Sequence, residues 1–202
     1  MLLAPRVRFA LIVLVACTVA AVAGVFVADS RDDATPATGF AGTQRPHAAR
    51  AGELTGLRDQ DGRPVRMAQL RGRPVVMAFV YSTCEDTCPA QVQAIRGALD
   101  QVGQDVPVLG ISVDPANDTP ERARRFVNEQ HMTGRMRFML GDPAALRPVW
   151  ERFGIAPQRE NLDHSAYIVL IDRDGRQRIG WPYEKLTTAG LAGDLGRLLD
   201  EA

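Results

Sequence analysis

Phe9 to Ala28 form a run without a charged residue, preceded by Arg6 and Arg8 and followed by Asp29, Asp32 and Asp33. About 20 apolar residues cross the ~30 Å hydrocarbon core of a bilayer as one helix, and no polar residue beyond Thr18 interrupts this run. The pattern predicts a transmembrane helix, with residues 1–28 as the anchor. Arginines before the run and aspartates after it orient the N-terminus to the cytoplasm and everything from about residue 29 outside it. A cleaved signal, or a lipoprotein signal ending in Leu14-Val15-Ala16-Cys17, is a second reading of the same residues and exports the chain equally. The apolar character continuing past Cys17 favours the uncleaved anchor. From Asp29 to Arg50, Ala, Thr, Gly, Pro and charges alternate without period, which predicts a flexible tether over 29–50 that carries His47.

Regular patterning begins after residue 50. Leu54 to Val65 holds Asp61-Gly62 between short apolar stretches, a hairpin signal. Val75 to Val80 is an unbroken apolar run with β-branched and aromatic members, the pattern of a strand buried on both faces. Pro89 to Leu99 changes to helical spacing, with Val92, Ile95 and Leu99 on one face. Val106 to Val113 is a second buried strand, so this strand–helix–strand unit pairs in parallel through a right-handed crossover. Asp118-Thr119-Pro120 starts the next helix, with Thr119 as cap. A short strand over Arg137 to Leu140, a helix over Ala144 to Phe153, and a strand over Ala166 to Ile171 follow. Asp174-Gly175 turns that strand back into Gln177 to Gly180, and a last helix covers Thr188 to Leu199. A βαβ half followed by a hairpin and a terminal helix is a thioredoxin-like plan. The expected fold is thus α/β: a central mixed sheet flanked by helices over 51–202, behind the N-terminal transmembrane helix.

Composition narrows the function. Hydrophobic residues are 46% and charged residues 24%, globular proportions. Basic and acidic residues are equal at 24 each, and no basic stripe is interleaved with aromatics, which argues against nucleic acid as a partner. With Cys17 inside the apolar run, Cys84 and Cys88 are the thiols of the folded part, too few for a disulfide scaffold.

The candidate chemistry sits in Cys84-Glu85-Asp86-Thr87-Cys88-Pro89, directly after the first buried strand and opening the helix that follows. Ligands bind at the C-terminal edge of parallel strands, and a helix N-terminus favours thiolate over thiol. Three residues separate the cysteines, where dithiol oxidoreductases of the thioredoxin type use two; the wider spacing leaves room to clamp a metal. Two thiolates suit a soft ion, Cu(I) above all, or zinc. His164, in Asp163-His164-Ser165 before the third buried strand, is the best third ligand, and a Cys₂His set suits copper in either oxidation state. Asp163 is read either as a partner that orients that imidazole or as a residue of the turn alone. His131 falls at the polar end of a helix. Met132, Met136 and Met139 read as core filling, Asp114 and Asp118 as turn and cap residues, and Trp150 and Trp181 as packing.

These motifs, in this order, resemble the SCO/SenC family of copper chaperones, which have a thioredoxin-like fold. The matching pieces are Tyr81-Ser82-Thr83-Cys84-Glu85-Asp86-Thr87-Cys88-Pro89, Ser112-Val113-Asp114-Pro115 with Asp118-Thr119-Pro120, and Asp163-His164-Ser165 leading into Tyr167. Glu85 departs from the family, which often has proline there. The resemblance implies Cys84, Cys88 and His164 as ligands for Cu(I) or Cu(II). It implies delivery of copper to a cytochrome c oxidase subunit carrying the CuA centre, or to another copper acceptor. It also implies a protein of the bacterial cell membrane, single-pass, whose domain faces the periplasm or cell exterior. An exported thiol–disulfide oxidoreductase using Cys84 and Cys88 is the alternative; a thiol peroxidase fits Ser82-Thr83-Cys84 poorly.

Overall fold

An uninterrupted apolar run has one comfortable place in a fold, the middle of a sheet covered on both faces. Val75–Val80 takes that place and is buried along its whole length. The computed structural model describes residues 39–46, 49–157 and 166–201. Its strands are β1 (Thr43–Gln44), β2 (Val75–Val80), β3 (Val108–Ser112), β4 (Met136–Met139), β5 (Tyr167–Ile171) and β6 (Gln177–Pro182). Its α-helices are α1 (Thr87–Val102), α2 (Pro120–Glu129), α3 (Pro143–Phe153) and α4 (Thr188–Asp200), with 3-10 turns at Met67–Leu70 and Tyr183–Lys185. The apolar run read as an anchor lies outside the described residues, as do His47, Asp163, His164 and Ser165. Among the described residues no helix is long and apolar enough to cross a membrane.

The strands make one six-stranded sheet in the order β1-β6-β5-β2-β3-β4. β2, β3 and β4 run parallel, and β5 returns antiparallel to β2, so the sheet is mixed as expected. Alternation along β2 divides the core. Val76, Ala78 and Val80 pack under α1, α2 and α4, whereas Val75, Met77 and Phe79 pack under α3 and the segment from Ala51 to Met67. Register sets the site's position: Val80 pairs with Ser112 and Phe79 with Tyr167. The ends of β2 and β3 and the start of β5 therefore share one edge.

Two expectations meet a different arrangement. Between Leu54 and Val65 the turn forms, but its legs shrink to one bridge between Arg58 and Pro64. The Asp59 carboxylate accepts the N–H groups of Asp61 (3.0 Å) and Arg63 (2.8 Å), and Arg58 exchanges backbone hydrogen bonds with Leu140. Leu57 and Val65 are drawn into the core, so the segment folds as a clasp over β4. Within the stretch read as tether, Phe40 packs on the core and Thr43–Gln44 pair antiparallel with β6. Asp194, buried on α4, holds this segment by accepting from the N–H groups of Ala41 (2.7 Å) and Gly42 (2.9 Å) and from Trp181 Nε1 (3.0 Å).

Candidate metal centre

The four α-helices among the described residues start in two ways. α2, α3 and α4 are capped by side-chain oxygens: Thr119 accepts from Arg122 N, Asp142 from Ala145 N, and Thr187 from Gly190 N. α1 has no such cap, because Asp86 makes no side-chain bond to it. Its early N–H donor goes to sulfur instead: Cys88 N donates to Cys84 Sγ at 3.2 Å. Thr87 Oγ1 lies 3.4 Å from the same sulfur. An N–H aimed at sulfur at the positive end of a helix dipole favours the thiolate.

Neither thiol is in a disulfide and both are buried, Cys84 at 8% exposure and Cys88 at 0%. The Cys88 thiol donates to Cys84 and, against the opposing effect of burial, lowers the Cys84 pKa from the ordinary 9.0 to about 4. The Thr87 hydroxyl and the N–H groups of Cys88 and Asp86 add to that lowering. The same bond, together with burial, pushes the Cys88 thiol far up. The pair thus shares one proton, thiolate at Cys84 and thiol at Cys88. Such a pair fits a soft cation well: the ion takes the thiolate already formed and displaces the shared proton to gain the second.

The loop ahead of Cys84 is pinned from a distance. Asp118, buried between β3 and α2, accepts from Ser82 N (2.7 Å), Ser82 Oγ (2.6 Å) and Ser112 Oγ (2.5 Å). Burial raises its pKa, with the serine bonds opposing. Trp150 Nε1 donates to Ser112 O at 2.9 Å and secures the end of β3 to α3. The sequence pattern reads Asp118 as a turn and cap residue. Thr119 does the capping, and Asp118 bonds the cysteine loop across a separation that no local pattern reveals.

The remaining candidates fall as follows. Cys84 and Cys88 are brought together; His164 lies outside the described residues. Among the described residues no group of three His, Cys, Asp or Glu side chains is arranged to hold a metal ion. His131 is exposed after α2. Met132, Met136 and Met139 are buried in the core, and Trp150 and Trp181 pack there as expected. Asp114 accepts from Asn117 within its own turn, at 2.8 Å.

Comparison with known proteins agrees with this fold. The SCO1/SenC family model matches residues 43–200. An SCO2-like protein of Rickettsia prowazekii is 29% identical over 133 residues, spanning 59% of this chain and 63% of the relative. The chain thus covers less than two thirds of that curated relative's length. A mitochondrial SCO1 homologue of Arabidopsis thaliana is also 29% identical, over 60% of this chain and 37% of its own. Among solved structures, Bradyrhizobium japonicum ScoI with copper bound is 33% identical, with a TM-score of 0.59 over 71% of this chain and 96% of its own. Apo Sco1 from Thermus thermophilus is 26% identical, with a TM-score of 0.69 over 81% and 99%. BsSco, described as having a disulfide switch and as a member of the Sco family of cytochrome c oxidase assembly proteins, shares the fold at 19% identity and a TM-score of 0.67, over 79% and 99%. With that match running from β1 through the cysteine pair to the last turn of α4, this chain belongs to the SCO1/SenC family.

Proposed function

We propose that this protein binds copper through Cys84, Cys88 and His164 outside the cytoplasm, held there by its N-terminal helix, and passes the ion to the CuA-bearing subunit of cytochrome c oxidase. The observation that carries the reading is the pair of buried thiols at the start of α1, where the Cys88 N–H is aimed at the Cys84 sulfur and no side-chain oxygen caps the helix. One sulfur is ready to bind a soft ion near neutral pH, and its partner is one proton away from joining. The copper-bound ScoI relative and the family-level link to oxidase assembly support the cargo and the destination. Tyr167, three positions after His164, pairs with Phe79 at the end of β2 from which the cysteine loop departs. Three ligands leave copper open to an incoming thiolate, so release can proceed by exchange, one bond forming before another breaks.

Anaerobic titration of the reduced full chain should show one copper per chain, with thiolate-to-copper charge-transfer absorption on adding Cu(II). His164→Ala should weaken Cu(II) more than Cu(I), because the imidazole is the harder donor. If the wild type bound no more copper than a Cys84→Ser/Cys88→Ser control, the reading would be wrong.

The depressed Cys84 thiol favours a second reading. A thiolate at neutral pH attacks disulfides readily. Cys84 would attack one sulfur of a target disulfide and release the other as thiolate. Cys88 would then resolve the mixed disulfide, leaving a Cys84–Cys88 disulfide and a reduced target. An external dithiol reductant must restore the pair. Turnover of a protein disulfide by metal-free protein separates this reading from copper transfer.

A further inference from the structure

Gln91 has its whole polar head buried and unused. Its residue exposure is 0%, and neither Nε2 nor Oε1 has a hydrogen-bond partner. Gln177, Arg45 and Arg173 also leave one buried atom unmatched, but each anchors its head group through another atom, and Arg96, unmatched at Nε, is only half-buried. A carboxamide carries two donors and a carbonyl. Natural structures rarely keep such a group wholly unsatisfied in the interior, and an exception calls for a missing partner.

Helix geometry says where that partner lies. Gln91 follows Cys88 by three residues on α1, and both are on the buried face of the helix. Residues so spaced are neighbours, with Cβ atoms about 5–6 Å apart. Long helical side chains lean back over the preceding turn, toward the helix N-terminus. The carboxamide thus reaches toward the turn that holds Cys88. A cation held by both sulfurs makes Cys88 a thiolate ligand in fully buried surroundings. A buried anionic sulfur gains most from an N–H donor, and such charge-assisted bonds are the strong ones.

We infer that Gln91 is a positioning and tuning residue of the copper site, its Nε2–H donating to the Cys88 thiolate when copper is bound. The inference rests on the copper reading above. Hydrogen bonds to a thiolate ligand draw electron density away from the metal–sulfur bond and so favour Cu(I) over Cu(II). The metal-free protein leaves the carboxamide unpaired and the loaded protein uses it, so this side chain biases the fold toward the loaded state.

The test is a comparison of the full-length wild type with Gln91→Leu and Gln91→Glu. Leucine is similar in size and has no donor; glutamate is isosteric but offers no N–H at neutral pH. Three readouts are needed: Cu(I) and Cu(II) affinities by competition, the position of the charge-transfer band, and thermal unfolding without metal. In Gln91→Leu the ratio of Cu(I) to Cu(II) affinity should fall by about tenfold, the scale of a hydrogen bond to a charged group. The band should move to longer wavelength, and Gln91→Glu should shift both in the same direction and further. Metal-free Gln91→Leu should unfold at the wild-type temperature or above, since it removes a buried unpaired amide. An unchanged ratio and band would overturn the inference. So would a rise in the ratio, which would mean that Oε1 serves Cu(II) as a ligand. A wild type that binds no copper would instead sink the copper reading itself.

Discussion

The start of α1 and the starts of α2, α3 and α4 solve the same problem with different atoms. Each must satisfy backbone N–H groups that no earlier turn can reach. Thr119, Asp142 and Thr187 do this with oxygen, leaving a closed, stable end. At α1 the acceptor is the Cys84 sulfur, and the side chain in the cap position, Asp86, makes no cap bond. An oxygen cap spends the dipole on stability. A sulfur cap spends it on keeping a thiolate charged, and leaves that thiolate able to exchange its partner for a metal or another sulfur.

The comparison breaks most severely at Cys84. Replacing it with serine gives α1 an oxygen like those of its neighbours. The helix should persist, and copper affinity should fall by more than the ~10–100-fold that loss of a supporting residue costs a metal site. The same variant tests the pH linkage. Cys84 titrates near 4 when folded, against an ordinary 9.0. Between those values the unfolded thiol holds a proton that the folded one lacks, so reduced wild type should gain stability as pH rises across the window. It should lose that stability as pH falls through about 4, with a slope no steeper than about 1.4 kcal/mol per pH unit. Urea unfolding at several pH values should show this slope in wild type and not in Cys84→Ser. Above pH 9, the raised Cys88 thiol works in the opposite sense.

Asp118 gives the next largest effect. Alanine there frees Ser82 and Ser112, which should cost about 1–3 kcal/mol in chemical denaturation for the unsatisfied buried groups. It should also weaken copper by about 10–100-fold through the loosened cysteine loop. Asp118→Asn retains an acceptor for Ser82 N and should recover part of both. Loss of stability with copper affinity intact would show that the clamp serves the fold alone.

The caps themselves give the smallest effect. Thr187→Ala and Asp142→Ala should each destabilise by about 1 kcal/mol, whereas Asp86→Ala should change stability by less than about 0.5 kcal/mol, having no cap bond to lose. None of the three should alter copper binding, as titration of each variant can establish. A full-sized loss in Asp86→Ala would erase the distinction drawn between the two kinds of helix start.

Local features of the fold were legible because their causes are local. The run Val75 to Val80 announces a doubly covered strand, and Thr119-Pro120 announces a helix start whose donor and acceptor are neighbours in the chain. The cysteine pair was legible for the same reason: a strand end followed at once by a helix start places both sulfurs together. The role of Asp118 is hidden from the sequence because its partners, Ser82 and Ser112, lie across the sheet edge, and an aspartate before Thr-Pro looks like any turn residue. The segment from Phe40 to Gln44 read as tether because its composition lacks period. Its order comes from Asp194, 153 residues from Ala41, and from a free edge on β6.

By itself, then, the sequence determined the succession of strands and α-helices from β2 onward, the closeness of Cys84 to Cys88 and the helix terminus on which they sit, since each depends on spacing within a few residues. Only the tertiary structure decided how the proton is shared between them, which carboxylate grips the loop ahead of them, and that Gln91 is sealed inside with nothing to bond. Those outcomes depend on burial and on meetings between distant strands and helices, which register and packing set once the sheet has closed.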